Sequence, residues 1–115
     1  DSMEARAMIY ESIKAKGFAV QYIIDPRMSA EFYTQYTINP FNDKDQATYA
    51  KVLQPDSESV AERCTAKSTV YTASLAAGMV TKTIKNIMLK QAYPRVINWD
   101  ISKSSNAMDM HQGGM

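Results

Sequence analysis

Apolar positions recur along this chain with two periods, one near that of a helix and one near that of a strand. From Asp1 to Lys16 the spacing predicts a helix: Ala5, Met8, Ile9 and Ile13 share a face, Asp1 with Glu4 has the form of a capping box, and Gly17 can close the last turn. Phe18 to Ile24 is a short apolar run of the kind found in buried strands. Asp25-Pro26-Arg27 is expected to end it, because proline cannot donate to a sheet ladder. Glu31 to Ile38 alternates, with Phe32, Thr34, Tyr36 and Ile38 on one side and Tyr33, Gln35 and Thr37 on the other. This predicts a half-exposed strand paired with the first. Asn39 to Asp43 is a turn cluster, Asp45 to Leu53 a short helix packing through Ala47, Tyr49, Ala50 and Leu53, and Gln54 to Glu62 a polar loop.

The clearest period lies between about Ser68 and Ala92. Val70, Ala73, Ala77, Val80, Ile84 and Ile87 form an a/d-like stripe, read as core or as a subunit contact. Gly78 interrupts this helix at a cost of about 1 kcal/mol relative to Ala unless a close neighbour requires it. Pro94 is expected to stop the helix, and Arg95 to Ser102 reads as a last strand. Residues 103–115 are polar and read as a mobile tail, which leaves one domain over 1–102.

Composition narrows the function classes more than it selects one. The 115 residues are 45% hydrophobic and 22% charged, and thirteen basic against twelve acidic side chains leave a formal charge of +1. That balance, with no basic run, gives no footprint for nucleic acid or anionic membrane. No apolar run approaches the ~20 residues that span a bilayer. The single cysteine, Cys64, excludes an internal disulfide and fits a reducing, cytoplasmic setting. Holding a triphosphate needs backbone N–H groups near phosphate oxygens, usually through glycines between a strand and a helix start. None of the four glycines, Gly17, Gly78, Gly113 and Gly114, has that position.

Three segments carry a resemblance. Asp1-Ser2-Met3-Glu4-Ala5-Arg6 resembles the segment after a nucleotide-site strand in ThiF, MoeB and ubiquitin-activating enzymes. Ile24-Asp25-Pro26-Arg27-Met28 is similar to the next strand end in ThiF-like proteins. Glu62-Arg63-Cys64-Thr65-Ala66-Lys67-Ser68 is similar to the crossover segment that bears the thioester cysteine. The resemblance implies the C-terminal half of a ThiF-type, Rossmann-like α/β sheet, with its last strands antiparallel and a long helix packed on the sheet. It also implies a role in ATP- and Mg²⁺-dependent adenylation of a ubiquitin-like or sulfur-carrier protein. The family's glycine-rich loop and paired Cys-x-x-Cys motifs have no counterpart here, so the chain by itself is expected not to bind ATP. Opening on Asp1 with no lead-in element, it reads as a fragment or as a chain missing earlier residues.

By the same resemblance Asp1 is a Mg²⁺ ligand, against the simpler reading of a helix cap. Cys64 is the nucleophile toward an acyl-adenylate, its thiolate favoured by Arg63, Lys67 and a following helix N-terminus, against a small buried thiol. Arg6 and Arg27 contact nucleotide or carrier carboxylate, against ordinary ion pairing. His111 has no partner cluster, and Gly113-Gly114 belongs to the tail. Two functions follow: part of an adenylating enzyme completed by another segment, or a non-catalytic, dimerising or protein-binding remnant. An open sheet edge and the Val70–Ile87 stripe both favour a homo-oligomer.

Overall fold

A computed structural model describes residues 3–16, 20–53, 69–103 and 105–111. Through them run α1 (Met3–Lys16), β1 (Ile23–Ser29), β2 (Phe32–Ile38), α2 (Asp43–Val52), α3 (Val70–Met88), β3 (Tyr93–Asp100), a 3-10 turn (Ile101–Lys103) and β4 (Ser105–His111). The strands form one antiparallel sheet in the order β1-β2-β3-β4. The chain is thus a mixed α/β domain with a long helix against an antiparallel sheet.

Successive strand residues point to opposite faces, and β2 uses both. On one face Ile38 packs with Tyr10 of α1 and with Tyr49 and Leu53 at α2, and Met3, Ile23, Tyr36 and Val52 complete the cluster. On the other face Tyr33 packs with Ala76 of α3 and Ile97 of β3, joined by Leu75, Met79 and Trp99. The sheet is therefore a middle layer, with α1 and α2 on one side and α3 on the other. α1 turns Tyr10 inward, while Met8 and Ile9, on the apolar face read from the sequence, are exposed. α2 begins two residues earlier than its apolar pattern suggests, because Asn42 caps it by accepting from the Asp45 N–H at 3.0 Å.

β1 departs from its sequence reading. It runs through Pro26 instead of ending before it, with Pro26 opposite Gln35. Among the described residues β1 is an edge strand, with no strand paired on its outer side, and a proline there need not interrupt a ladder. The β1–β2 turn leaves two residues between Ser29 and Phe32, with Ala30 in left-handed backbone at φ 48°. The start of α3 seats this turn: the Thr69 N–H and the Thr72 hydroxyl both donate to the Ala30 carbonyl, at 3.2 and 2.8 Å.

α3 is capped by Thr69, whose hydroxyl accepts from the Thr72 N–H at 3.2 Å. It ends at Met88, well before Pro94, which lies inside β3. The stop is a Schellman motif: Lys90 takes φ 57°, its N–H donates to Ile87 O at 3.1 Å, and the Gln91 N–H donates to Asn86 O at 2.8 Å. The stretch read as a tail supplies β4, which pairs with β3 from Tyr93↔His111 to Asp100↔Ser105. Backbone groups make that ladder, so polar side chains did not announce it.

Which side of α3 faces the sheet is the largest departure. Its buried positions are Thr72, Ala76, Thr83 and Asn86. The apolar stripe that sequence periodicity assigned to core or subunit contact lies to one side of them. Val80 and Ile87 are half-buried, whereas Val70, Ala73, Ala77 and Ile84 are exposed. The sheet explains the choice, because β2 presents Gln35 and Thr37, both fully buried, and these need polar partners. Gln35 accepts from the Tyr33 hydroxyl and donates from Nε2 to Thr83 Oγ1 at 2.9 Å and Thr37 Oγ1 at 3.3 Å. Gly78 has nothing within 4 Å of where a Cβ would stand, so the fold itself does not require a glycine there.

Candidate functional site

Two of the residues singled out from sequence, Arg6 and Arg27, converge on a third that was not, Asp25. Asp25 and Arg27 stand two apart on β1, which places both on the α1/α2 face. Arg27 Nη2 lies 2.9 Å and Nε 3.3 Å from Asp25 Oδ2. Arg6 reaches across from α1, with Nε 2.9 Å from Asp25 Oδ1. The Tyr49 hydroxyl of α2 donates to Asp25 Oδ2 at 2.8 Å. Arg27 Nη1 donates to the Val52 carbonyl at 3.1 Å, and its guanidinium carbon sits 4.9 Å from the centre of the Tyr36 ring. One carboxylate therefore ties α1, β1 and the end of α2 together.

The electrostatics follow from burial. Asp25 and Arg27 are each only 6% exposed, where an unpaired charge is costly. Burial works against the charged form of Arg27, but hydrogen bonds and attraction from Asp25 outweigh it and hold its pKa above the ordinary value. Burial raises the Tyr49 hydroxyl, and the charge of Asp25 raises it further. Tyr36 is also raised, chiefly by burial, with Arg27 opposing. Tyr49 is consequently a fixed donor at neutral pH. Asp25, held on both carboxylate oxygens, links three elements.

A second buried pair stands beside it. Arg95 Nε lies 2.9 Å from Asp45 Oδ1, and the other carboxylate oxygen of Asp45 accepts from the Asn39 N–H at 2.7 Å. Between α1 and β1 is a cavity of about 260 Å³, lined by Arg6, Ile9, Tyr10, Ile23, Ile24, Asp25, Pro26 and Tyr49. The buried Tyr10 hydroxyl on its wall has no hydrogen-bond partner.

Asp1 and Cys64 lie outside the described residues, as do Arg63, Lys67 and Gly113-Gly114. His111 is the last residue of β4. As placed, Arg27 does not fit a phosphate contact, since reaching one would break its bonds to Asp25 and Val52. Arg6 would have to share a guanidinium already committed to Asp25. The ordinary reading of both, ion pairing, is the observed one. Asp25-x-Arg27 within a strand was a legible signal for a same-face ion pair, once the strand is allowed to pass through Pro26. Tyr49 and the Asp45–Arg95 pair had no local signal. Among the described residues no group of three His, Cys, Asp or Glu side chains converges as a metal site, and no helix is long and apolar enough to cross a membrane.

The other prominent feature is the outer side of α3. Val70 is 81% exposed, Met88 75% and Ile84 45%, an apolar strip on a helix that contains no acidic residue. No protein-family model, curated protein or solved structure matches this chain.

Proposed function

We propose that this domain is a protein-association module, whose working surface is the outer side of α3. One observation carries the reading: α3 buries Thr72, Thr83 and Asn86 and leaves Val70, Ile84 and Met88 in solvent. A helix that faces its own core with threonines and shows its apolar stripe to water gains stability when another chain covers the stripe. The Asp25 and Gln35 networks fit this role, since they hold the sheet and helices in one arrangement and present α3 as a rigid edge. Ile84→Lys should leave the fold intact, with a thermal midpoint within about 2 °C of the parent, because little core contact is lost. A fall of 8 °C or more would show that the stripe is internal packing and end the reading.

A second reading, part of a ThiF-like adenylating protein, is favoured by one contact. The Arg6–Asp25 pair brings two of the three resembling segments side by side. The ATP and Mg²⁺ it implies would need a phosphate loop from another segment or chain, and the ubiquitin-like or sulfur-carrier partner would be recognised there. Calorimetry of this chain with Mg·ATP should give no binding tighter than about 100 μM, a level corresponding to roughly 5.5 kcal/mol. Tighter binding would favour the enzyme over the association module.

A further inference from the structure

We infer that the hollow between the start of α3 and the end of β3 is a binding site for a small quaternary ammonium ion. The site is separate from the outer strip of α3 and does not depend on the association reading. Tyr71, Leu75, Trp99 and Ile101 line a cavity of about 270 Å³. Tyr71 and Leu75 stand four apart on α3 and so share a side of the helix. Ile97 and Trp99 stand two apart on β3, which turns Trp99 to the α3 face, and Ile101 follows in the 3-10 turn. These walls are fixed by the fold. Leu75 and Trp99 pack on the core of Tyr33, Ala76 and Ile97. The Thr69 N–H and the Thr72 hydroxyl pin the start of α3 to the Ala30 carbonyl.

The next residue along, Glu31, gives the hollow its charge. Its backbone carbonyl accepts from the Ile101 N–H at 2.9 Å and its carboxylate accepts from the Tyr71 hydroxyl, so it touches two of the four walls. Among the described residues no cation pairs with that carboxylate. The face of an aromatic ring is negative and attracts a cation lying over it, most strongly for Trp and then Tyr. Donating its hydrogen bond to a carboxylate polarises the Tyr71 phenol and makes its ring richer in electrons. Two aromatic rings and a carboxylate without a counter-ion therefore select positive charge. The lining selects which kind. Apart from the Tyr71 hydroxyl, already given to Glu31, and the Trp99 indole N–H, itself a donor, the four walls are hydrocarbon. A primary ammonium would leave N–H groups without acceptors there, whereas a fully methylated nitrogen has none to satisfy. The volume lies at the small end of ligand pockets, which suits a cation of a few carbons. Two desolvated cation–π contacts correspond to a dissociation constant on the order of 1 mM.

Trp99 is the only tryptophan in the chain, so its fluorescence reports on the hollow directly. The full chain is titrated with choline chloride to about 20 mM, roughly twenty times the expected constant, against sodium chloride at the same ionic strength. A saturating change in Trp99 emission is expected with choline alone. The uncharged isostere 3,3-dimethylbutanol should bind at least about tenfold more weakly, and ethanolamine at least about threefold more weakly. Tyr71→Leu should weaken choline binding by about fivefold to thirtyfold, while Tyr71→Phe, which keeps the ring, should stay within about threefold of the parent. Glu31→Gln should weaken it by roughly threefold to tenfold at low salt. Tyr71 is half-exposed, and circular dichroism confirms that each variant is folded. No saturation by about 20 mM in a folded chain overturns the site. Equal binding of dimethylbutanol shows a merely apolar hollow, and equal binding of ethanolamine overturns the quaternary assignment. Binding unchanged by both Tyr71→Leu and Glu31→Gln places the ligand elsewhere and also overturns the proposal. A trimethyllysine peptide held more than about tenfold tighter than choline overturns the free small ion as occupant.

Discussion

The two faces of the sheet solve the same problem with different chemistry. On the α1/α2 face a charged carboxylate, Asp25, is closed off by two guanidiniums and a phenol from three elements. On the α3 face a neutral amide, Gln35, is closed off by two hydroxyls of its own strand and one from the helix. The charged centre needs donors from several elements at once, so it fixes tertiary positions, and breaking it leaves buried charge behind. The neutral ladder is mostly local to β2 and asks only for a polar stripe on the covering helix. α3 meets that demand and, as a result, turns much of its apolar stripe away from the core.

If this contrast is right, removing the charged centre should cost most. Asp25→Ala should destabilise the chain by about 3–5 kcal/mol in chemical denaturation, since Arg27 and Arg6 lose their counter-ion. A loss under about 1 kcal/mol would mean that the guanidiniums swing to water, and that the network does not lock the face. Gln35→Leu should cost less, about 1–3 kcal/mol, because the orphaned groups on Tyr33, Thr37 and Thr83 are neutral. An equal or larger loss than for Asp25→Ala would erase the distinction between the faces.

Alkaline titration probes both faces together. Burial raises the hydroxyls of Tyr33 on the α3 face and Tyr49 on the α1/α2 face above the ordinary value near 10. Above about pH 10 the unfolded chain releases these protons while the folded chain keeps them, so the folded state binds more protons and stability falls as pH rises. Each such tyrosine contributes a slope of about 1.4 kcal/mol per pH unit. Below pH 9 their contribution should be constant. An alkaline stability slope left unchanged by Tyr33→Phe and by Tyr49→Phe would contradict the burial of these hydroxyls. At the exposed end of the scale, Gly78→Ala should stabilise the helix by about 0.5–1 kcal/mol, as nothing stands where the new methyl would go. Lys90→Gly should help by a similar amount, by relieving left-handed backbone. Destabilisation by Gly78→Ala would reveal a close neighbour on that side of α3.

The sequence by itself determined what depends on neighbours along the chain. The helical and alternating periods placed α1, β2, α2, α3 and β3 to within a few residues, and the pattern of β2 correctly separated its two faces. What only the tertiary structure decided depends on partners far along the chain. Pro26 is tolerated because β1 became an edge, which no local pattern states. Residues 105–111 joined the sheet through backbone hydrogen bonds, which polar side chains do not forbid. Arg6 and Arg27 found their role when folding brought α1 and α2 onto β1. The side that α3 buries was set by Gln35, whose partner Thr83 lies 48 residues away. The helix carried both an apolar and a polar stripe, and the unmet hydrogen bonds of the sheet chose between them.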